Sequence, residues 1–280
     1  MHNSSHFLSE NNTSLFCQSW LPQRTKSVVI LVHGFGDHSS RYSQTAEELN
    51  RNDFSVWAYD QEGHGRSGGT KGYVNHFDDL VCDLRTFINM VLEDNPNTPL
   101  FLLGHSLGGL VSAFVALEMP DVLQGLVLTS PALKVDSLAS PVLIAASRIL
   151  SNVAPKLKIV PAIVTRHLSK DPEAVLAYEN DPLCFHGPGY VRTGYEILLA
   201  TRNMEARAAE LVCPLLVVQG VSDQIIPPET IRAVYDKFGS DDKTLHTMPG
   251  LYHEVMFEPE KAETLAIIVN WLNKRSAVSG

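Results

Sequence analysis

Ser106 stands in a pattern that can make a serine nucleophilic. It is the centre of Gly104-His105-Ser106-Leu107-Gly108, between an apolar run at 99–103 and an apolar stretch at 110–119. A serine on a tight strand-to-helix turn needs small residues two positions before and after it, because larger side chains would collide with the strand and the helix. The turn directs the first N–H groups of the helix at whatever bonds to the serine. An ordinary glycine-rich joint is the alternative, but the flanking runs favour a nucleophile.

A serine hydroxyl also needs a general base, and a third group must hold that base in its reactive tautomer. In sites built on such a turn, the acid and then the histidine follow the serine along the chain. Asp223 comes shortly after a predicted strand at 214–219, and His253 lies in a loop between the last predicted strand and the last predicted helix. We therefore predict Ser106, Asp223 and His253 as nucleophile, acid and base.

Other aspartates and histidines suit these roles less well. Three aspartates are expected on a helix and an exposed turn, namely Asp236, Asp241 and Asp242. His246 falls within the last predicted strand. Three further histidines adjoin glycine turns ahead of the predicted acid, which is the wrong chain order for the base: His33, His64 and His105.

Acyl transfer at the serine would create an oxyanion, which backbone N–H donors stabilise. We predict the N–H of Leu107 and the N–H of Phe35 as donors, because the glycines at 34 and 36 allow the backbone around Phe35 to bend toward the serine. A zinc site made of His33, Asp37 and His38 is a poorer interpretation, since its spacing is not that of a zinc motif and a serine nucleophile needs no activated water. The predicted chemistry requires no cofactor or metal.

The elements that must position these residues alternate along the chain. Residues 7–20 resemble an edge hairpin. Strand-like runs are predicted at 27–32, 54–60, 99–103, 124–129, 214–219 and 244–248, and helices near 42–50, 77–91, 110–119 and 259–274. This alternation predicts an α/β fold with a mainly parallel central sheet flanked by helices.

The alternation stops between about residues 131 and 214, where prolines separate helical pieces. We predict a helical cap at 134–205, inserted into a core of residues 1–133 and 206–280. The stretch 142–150, with Ile144 and Ile149, is unusually apolar for an insertion. Such residues either pack the cap onto the core or border an acyl-chain pocket and rest against lipid, and both interpretations stay open.

Composition limits the partners. With 22 Lys+Arg against 31 Asp+Glu, the net charge is −9, and the absence of a basic cluster argues against nucleic acid. The four cysteines are far apart, which favours free thiols in the cytoplasm. We expect neither a signal peptide at the first residues nor a membrane span, so any membrane contact would be peripheral.

Several segments together resemble the monoacylglycerol lipase and lysophospholipase-like family of α/β-hydrolases, which includes serine-aminopeptidase-like hydrolases. They are residues 33–42, 60–67, 104–109, 180–183 and 252–253. The resemblance implies the α/β-hydrolase fold and a cofactor-free serine hydrolase that cleaves monoacylglycerols to glycerol and fatty acid. Carried over by position, it implies the same triad and oxyanion donors. It also implies that Asp37, Arg41 and Tyr178 seat the glycerol head group.

The same residues are also compatible with functions other than monoacylglycerol hydrolysis. The family resemblance also fits a lysophospholipase or a broad carboxylesterase, including one like caffeoylshikimate esterases. A binding protein that has lost turnover is disfavoured by the intact triad. A cofactor-free haloperoxidase or C–C hydrolase is disfavoured by the long cap and the segment at 33–39. The sequence leaves the oligomeric state open.

Overall fold

A computed structural model describes residues 1–135 and 141–276. Residues 136–140, which belong to the predicted cap, and residues 277–280 lie outside the described ranges, as does the side chain of Leu143 in the predicted apolar stretch. Among the described residues, no helix is long and apolar enough to cross a membrane.

The six predicted strands after the hairpin lie within two residues of their predicted bounds, whereas the edge hairpin begins at residue 2 rather than 7 and two short strands in the predicted cap were not predicted. Within the described ranges the strands are β1 His2–Leu8, β2 Ser14–Trp20, β3 Ser27–Val32, β4 Phe54–Tyr59, β5 Leu100–His105, β6 Leu123–Thr129, β7 Lys158–Val160, β8 Gly189–Tyr190, β9 Leu215–Gly220 and β10 Lys243–Met248. Eight of these described strands form one sheet in the order β1-β2-β4-β3-β5-β6-β9-β10, and β7 pairs with β8. The hairpin β1–β2 and the pair β2–β4 are antiparallel, whereas the other pairs in the large sheet are parallel. The predicted mainly parallel sheet is confirmed.

The helices cover both faces of this sheet. Those in the described ranges are α1 Ser43–Arg51, α2 Phe77–Asp94, α3 Leu107–Glu118, α4 Pro141–Val153, α5 Pro172–Glu179, α6 Val191–Arg207, α7 Pro228–Tyr235 and α8 Lys261–Ser276. Helix α3 begins three residues before the predicted apolar stretch, because its first turn contains Gly108 and Gly109, which carry no helical signal.

The core lies on both faces of β3. Its six residues are all buried. Val28 and Ile30 belong to one apolar cluster together with residues of α2 and α3, whereas Val29 and Leu31 belong to a second cluster with residues of α1 and α8. Successive strand side chains point to opposite faces, so a continuously apolar strand is buried on both. This double packing buries β3 between the two layers of helices.

Helices α4, α5 and α6 and strands β7 and β8 come between β6 and β9 in the chain. Helix α4 packs against α6, which also contacts α2 and α3 of the core. This stretch corresponds to the predicted cap, although α6 runs two residues beyond the predicted boundary at 205. The division into core and cap stays a prediction.

Candidate active site

Ser106 occupies the turn between β5 and α3. Its φ of 51° and ψ of −117° lie in a region that residues other than glycine rarely adopt. Four backbone hydrogen bonds hold it there. Its N–H donates to the Thr129 carbonyl at 3.0 Å, and its own carbonyl accepts from the N–H groups of Gly109 and Ala132 at 3.0 Å and of Leu110 at 3.2 Å. A residue keeps a strained backbone conformation only where many surrounding contacts hold it there, and such residues cluster at active sites.

Only glycine fits at positions 104 and 108 on either side of Ser106, because any side chain there would collide with neighbouring backbone atoms. A Cβ on Gly104 would come within 2.6 Å of the Gly108 carbonyl oxygen, and a Cβ on Gly108 would overlap the backbone oxygens of Val32 and His33. The end of β3 therefore passes directly under the first turn of α3. This is the steric reason that the sequence pattern suggested.

We expect Gly108→Ala to lower the free energy of unfolding by about 1–3 kcal/mol, the usual cost of overpacking a tight interior. The backbone of β3 must move to admit the methyl group, so the serine turn moves too. Urea denaturation measures the change, and Gly187→Ala is the control, because its added Cβ meets only the Phe185 ring at 3.2 Å or more. Equal stability of Gly108→Ala and the wild-type protein would contradict the close packing described above.

The His253 ring lies between Ser106 and Asp223. Its Nε2 is 3.0 Å from Ser106 Oγ, and its Nδ1 is 2.8 Å from Asp223 Oδ2. The backbone of this loop is anchored from β6, since Ser130 Oγ donates a 2.7 Å hydrogen bond to the His253 carbonyl. The structure thus brings together the three residues predicted as nucleophile, base and acid.

Asp223 is buried and held in one orientation. Its Oδ1 accepts hydrogen bonds from the backbone N–H groups of Ile225 and Ile226 at 2.8 and 2.9 Å, and its Oδ2 accepts one from Gln219 Nε2 at 3.0 Å. Burial by itself raises the pKa of Asp223, but the His253 ring and the two N–H groups outweigh burial and hold this pKa below its usual value. The carboxylate is therefore charged and aimed at His253 Nδ1.

His105 is a second imidazole beside His253, with the ring centroids 4.9 Å apart. Burial, together with the nearby His253, lowers the pKa of His105 to about 3. Its Nδ1 lies 3.1 Å from both the carbonyl and the hydroxyl of Thr129. His105 is therefore a neutral packing partner of His253 at physiological pH.

The predicted oxyanion donors flank the serine. Leu107 is the first residue of α3. The turn that carries Phe35 packs on Ser106, because a Cβ on Gly34 would lie 3.1 Å from Ser106 Cβ. The segment after α5 covers this turn, since Phe185 N–H donates to the Gly36 carbonyl at 2.9 Å. The donor role of both N–H groups stays a prediction.

The three residues predicted to seat a glycerol head lie together. The Arg41 guanidinium binds both carboxylate oxygens of Glu254 at 2.8 Å and Asp37 Oδ1 at 3.0 Å, and it stacks 4.9 Å above the Tyr178 ring. Burial raises the pKa of Asp37, but Arg41 and other polar neighbours outweigh it, so that this pKa is about 2. The Tyr178 hydroxyl points to the Phe185 carbonyl at 3.3 Å. A contact of these residues with substrate stays a prediction.

The two isoleucines predicted for the acyl entrance differ in exposure. Ile144 is half-buried on α4, whereas Ile149 is 66% exposed. Four residues that the sequence did not predict also contact the site, namely Ser130, Gln219, Glu254 and Glu258. Of these four, only Glu254 could have been suspected from the sequence, because it directly follows the predicted base.

One cluster could hold a metal ion by its donor types. His38, Asp181 and Cys184 each offer a ligand atom within 4.8 Å of the others. However, His38 Nε2 already bonds to Asp181 Oδ2 at 2.9 Å, and its buried Nδ1 lacks the partner among the described residues that a metal-bound histidine normally has. Burial also raises the pKa of Cys184, which disfavours a thiolate. The hydrogen bond between His38 and Asp181 accounts for this contact without a metal.

Known proteins resemble this chain over most of its length. Residues 23–260 match the protein family described as serine aminopeptidase S33. The chain is 35% identical over 254 residues to a monoacylglycerol lipase of Mycolicibacterium smegmatis, covering 90% of each chain. It is 34% identical over 279 residues to the monoglyceride lipase of Rattus norvegicus, covering 98% of this chain and 92% of that relative.

The same similarity holds in three dimensions. A crystal structure of a monoacylglycerol lipase of Paleococcus ferrophilus superposes with a TM-score of 0.85 at 31% identity, covering 93% of this chain and 99% of that one. The predicted α/β-hydrolase fold and the family resemblance are thereby confirmed. The chain belongs to the serine aminopeptidase S33 family of α/β-hydrolases.

Proposed function

We propose that the protein is a serine hydrolase that cleaves monoacylglycerols to glycerol and fatty acid through an acyl-enzyme. The observation that carries this proposal is the hydrogen-bonded chain from Ser106 through His253 to Asp223. In it, the two ring nitrogens lie 3.0 and 2.8 Å from their partners. Hydrogen bonds of this length place a base within reach of the proton that it removes.

In the first half of the reaction, Ser106 Oγ attacks the ester carbonyl carbon while His253 Nε2 takes its proton. The Asp223 carboxylate keeps the other proton of the ring on Nδ1 and stabilises the imidazolium that forms. The backbone N–H groups of Phe35 and Leu107 bind the oxyanion of the tetrahedral intermediate. When the intermediate collapses, His253 returns the proton to the departing glycerol oxygen, and the acyl group stays on Ser106.

The second half repeats these steps with water. His253 removes a proton from water, which attacks the acyl-enzyme carbonyl, and the same N–H groups bind the second oxyanion. Collapse releases the fatty acid and restores the Ser106 hydroxyl with the proton that His253 held. Each cycle consumes one ester and one water and needs no redox partner.

Two observations support a monoacylglycerol as the substrate. Relatives with identities above 30% over most of the chain are named monoacylglycerol or monoglyceride lipases. In addition, Asp37, Arg41 and Tyr178 form a polar group beside the Gly36 turn, where a glycerol head could bind. The head-group role is part of the proposal.

A substrate panel tests this proposal. We would measure kcat/KM on monoacylglycerols, lysophospholipids, p-nitrophenyl esters and amides, because the ratio of these values defines specificity. The largest value is expected for a monoacylglycerol. A larger value for a lysophospholipid would assign the enzyme to that substrate instead. Failure of Ser106 to react with a fluorophosphonate would favour a binding protein over any serine hydrolase.

We also propose that α4 rests against lipid. Val142, Ile149 and Val153 are 79%, 66% and 78% exposed. Their spacing of seven and four residues puts them on one face of the helix. An exposed apolar face on a helix too short to span a bilayer suits peripheral contact with a membrane. The proposed setting is the cytoplasmic side, in keeping with the predicted free thiols.

Ile149→Glu is expected to slow hydrolysis of a long-chain monoacylglycerol in vesicles by about tenfold, because a charged residue replaces an apolar membrane contact. Hydrolysis of a water-soluble butyrate ester should change less than about twofold, since a surface substitution leaves the triad intact. Rates on the two substrates are compared for each variant. Val212→Glu is the matched control, because Val212 is 58% exposed and precedes the amino end of β9, away from the site. Equal losses of rate on both substrates, or no loss on either, would indicate that α4 only packs within the cap and does not contact lipid.

A further inference from the structure

Glu258 is a fully buried carboxylate that joins two loops. Its Oε2 accepts hydrogen bonds from Ser169 Oγ at 2.7 Å and from the Lys170 N–H at 3.1 Å. Its Oε1 accepts one from the Tyr252 N–H at 2.7 Å. A buried charge is tolerated only when such donors replace water, and hydrogen bonds to a charged acceptor are stronger than neutral ones. Glu258 therefore holds the two loops at one separation.

The same two loops meet at a second point. The Glu254 N–H donates a 2.7 Å hydrogen bond to the Leu168 carbonyl. Within its own loop, the Glu254 carbonyl accepts from the Phe257 N–H at 2.7 Å, and the His253 carbonyl accepts from the Val255 N–H at 3.0 Å. Residues 252–258 thus form a compact turn that is bonded to residues 168–170 through Glu254 and Glu258, and Glu258 also binds the N–H of Tyr252, the residue before His253.

The two partners of this connection belong to different parts of the molecule. Residues 168–170 lie in the predicted cap, just before α5 begins at Pro172. The residue after Tyr252 is His253, whose ring must keep contact with Ser106 and Asp223 at the same time. A shift of about 1 Å at such a site can cost up to about 100-fold in rate.

We propose that Glu258 is a positioning residue that aligns His253 only while the cap segment 168–170 is seated on it. This inference rests on the proposed function, because it assigns Glu258 a role in aligning the proposed base. Displacement of the cap segment would remove two of the three donors from the carboxylate and leave it partly uncompensated. The turn at 252–258 would then relax, and the His253 ring would lose its simultaneous contact with Ser106 and Asp223. Cap position and base alignment are thereby coupled.

Two substitutions test this coupling from opposite sides. Glu258→Gln keeps the shape of the side chain but replaces an acceptor oxygen with a donor. Ser169→Ala removes one of the two cap donors to Glu258, together with the hydroxyl that accepts from the Asp171 N–H at 3.0 Å, and leaves the Lys170 N–H in place. Two controls alter the neighbouring surface pair, in which Lys170 Nζ lies 2.6 Å from Glu260 Oε1. Lys170→Ala retains the backbone N–H that Glu258 accepts, and Glu260→Gln removes a carboxylate two residues away.

The readout is kcat and KM on a soluble butyrate ester, per active site counted by fluorophosphonate labelling. Glu258→Gln is expected to lower kcat by about 10- to 100-fold and Ser169→Ala by about 3- to 10-fold, with KM within about twofold of the wild-type value. The labelling rate constant should fall in parallel, since the probe also needs the aligned base. Both controls should keep kcat within about twofold, because exposed ion pairs contribute little.

A purely structural role would give a different pattern. It would reduce the fraction of protein that labels, while kcat per labelled site stayed at the wild-type value, and that result would overturn the inference. Equal losses in Glu258→Gln and Glu260→Gln would also overturn it. If Glu258→Gln does not fold, the kcat per labelled site of Ser169→Ala tests the inference by itself. Failure of the wild-type protein to label or turn over would refute the proposed function itself, which is a separate outcome.

Discussion

Ser106→Ala and His253→Ala are each expected to lower kcat by about four orders of magnitude or more. Removal of the Ser106 hydroxyl eliminates the attacking atom, and removal of the His253 ring leaves that hydroxyl with no base 3.0 Å away. Members of a triad act as a unit, so the double variant should lose little beyond either single variant. Residual turnover would come from binding and the oxyanion donors alone.

Steady-state kinetics on a soluble ester measure these losses, and circular dichroism checks the fold. Ser112→Ala is the matched control for the serine, because Ser112 is buried on α3, the helix that follows Ser106, and its Oγ has no hydrogen-bond partner among the described residues. His246→Ala, on β10, is the corresponding control for the His253 substitution. The proposed mechanism is wrong if Ser106→Ala retains a tenth of the wild-type kcat.

Asp223→Asn is expected to lower kcat by about 10⁴-fold, as in other triads in which an amide replaces the acid. The carboxylate accepts the Nδ1–H of His253, whereas an amide nitrogen in its place would favour the tautomer with the proton on Nε2. That tautomer cannot take the Ser106 proton. The backbone N–H groups of Ile225 and Ile226 keep the side chain in position in both proteins.

The controls for this prediction are two aspartates that the sequence offered as rivals. Asp236 pairs with Arg232 and Asp242 pairs with Arg275, and both carboxylates are exposed. Asp236→Asn and Asp242→Asn should therefore leave kcat within about twofold, because exposed pairs contribute little. A large loss of kcat in either control, with the kcat of Asp223→Asn unchanged, would show that an aspartate in another segment is the acid of the triad.

The sequence by itself determined the parts of this protein that obey local rules. Residues 27–32 predicted a buried strand with the observed bounds, because continuous apolarity requires burial on both faces. The glycines at 104 and 108 predicted the serine turn, because a Cβ at either position meets backbone atoms. Chain order then singled out Asp223 and His253 as partners of Ser106.

Only the tertiary structure decided how segments that are distant in the chain meet. Ser106 and His253 are 147 residues apart, and the 3.0 Å between their reacting atoms depends on the packing of the whole sheet. Glu258 looked like any glutamate in the sequence, yet it is fully buried between two loops. A residue type encodes preferences over a few neighbours, whereas a buried carboxylate is defined by donors from remote backbone that no local pattern reveals. The contacts that align the base are therefore a property of the folded chain.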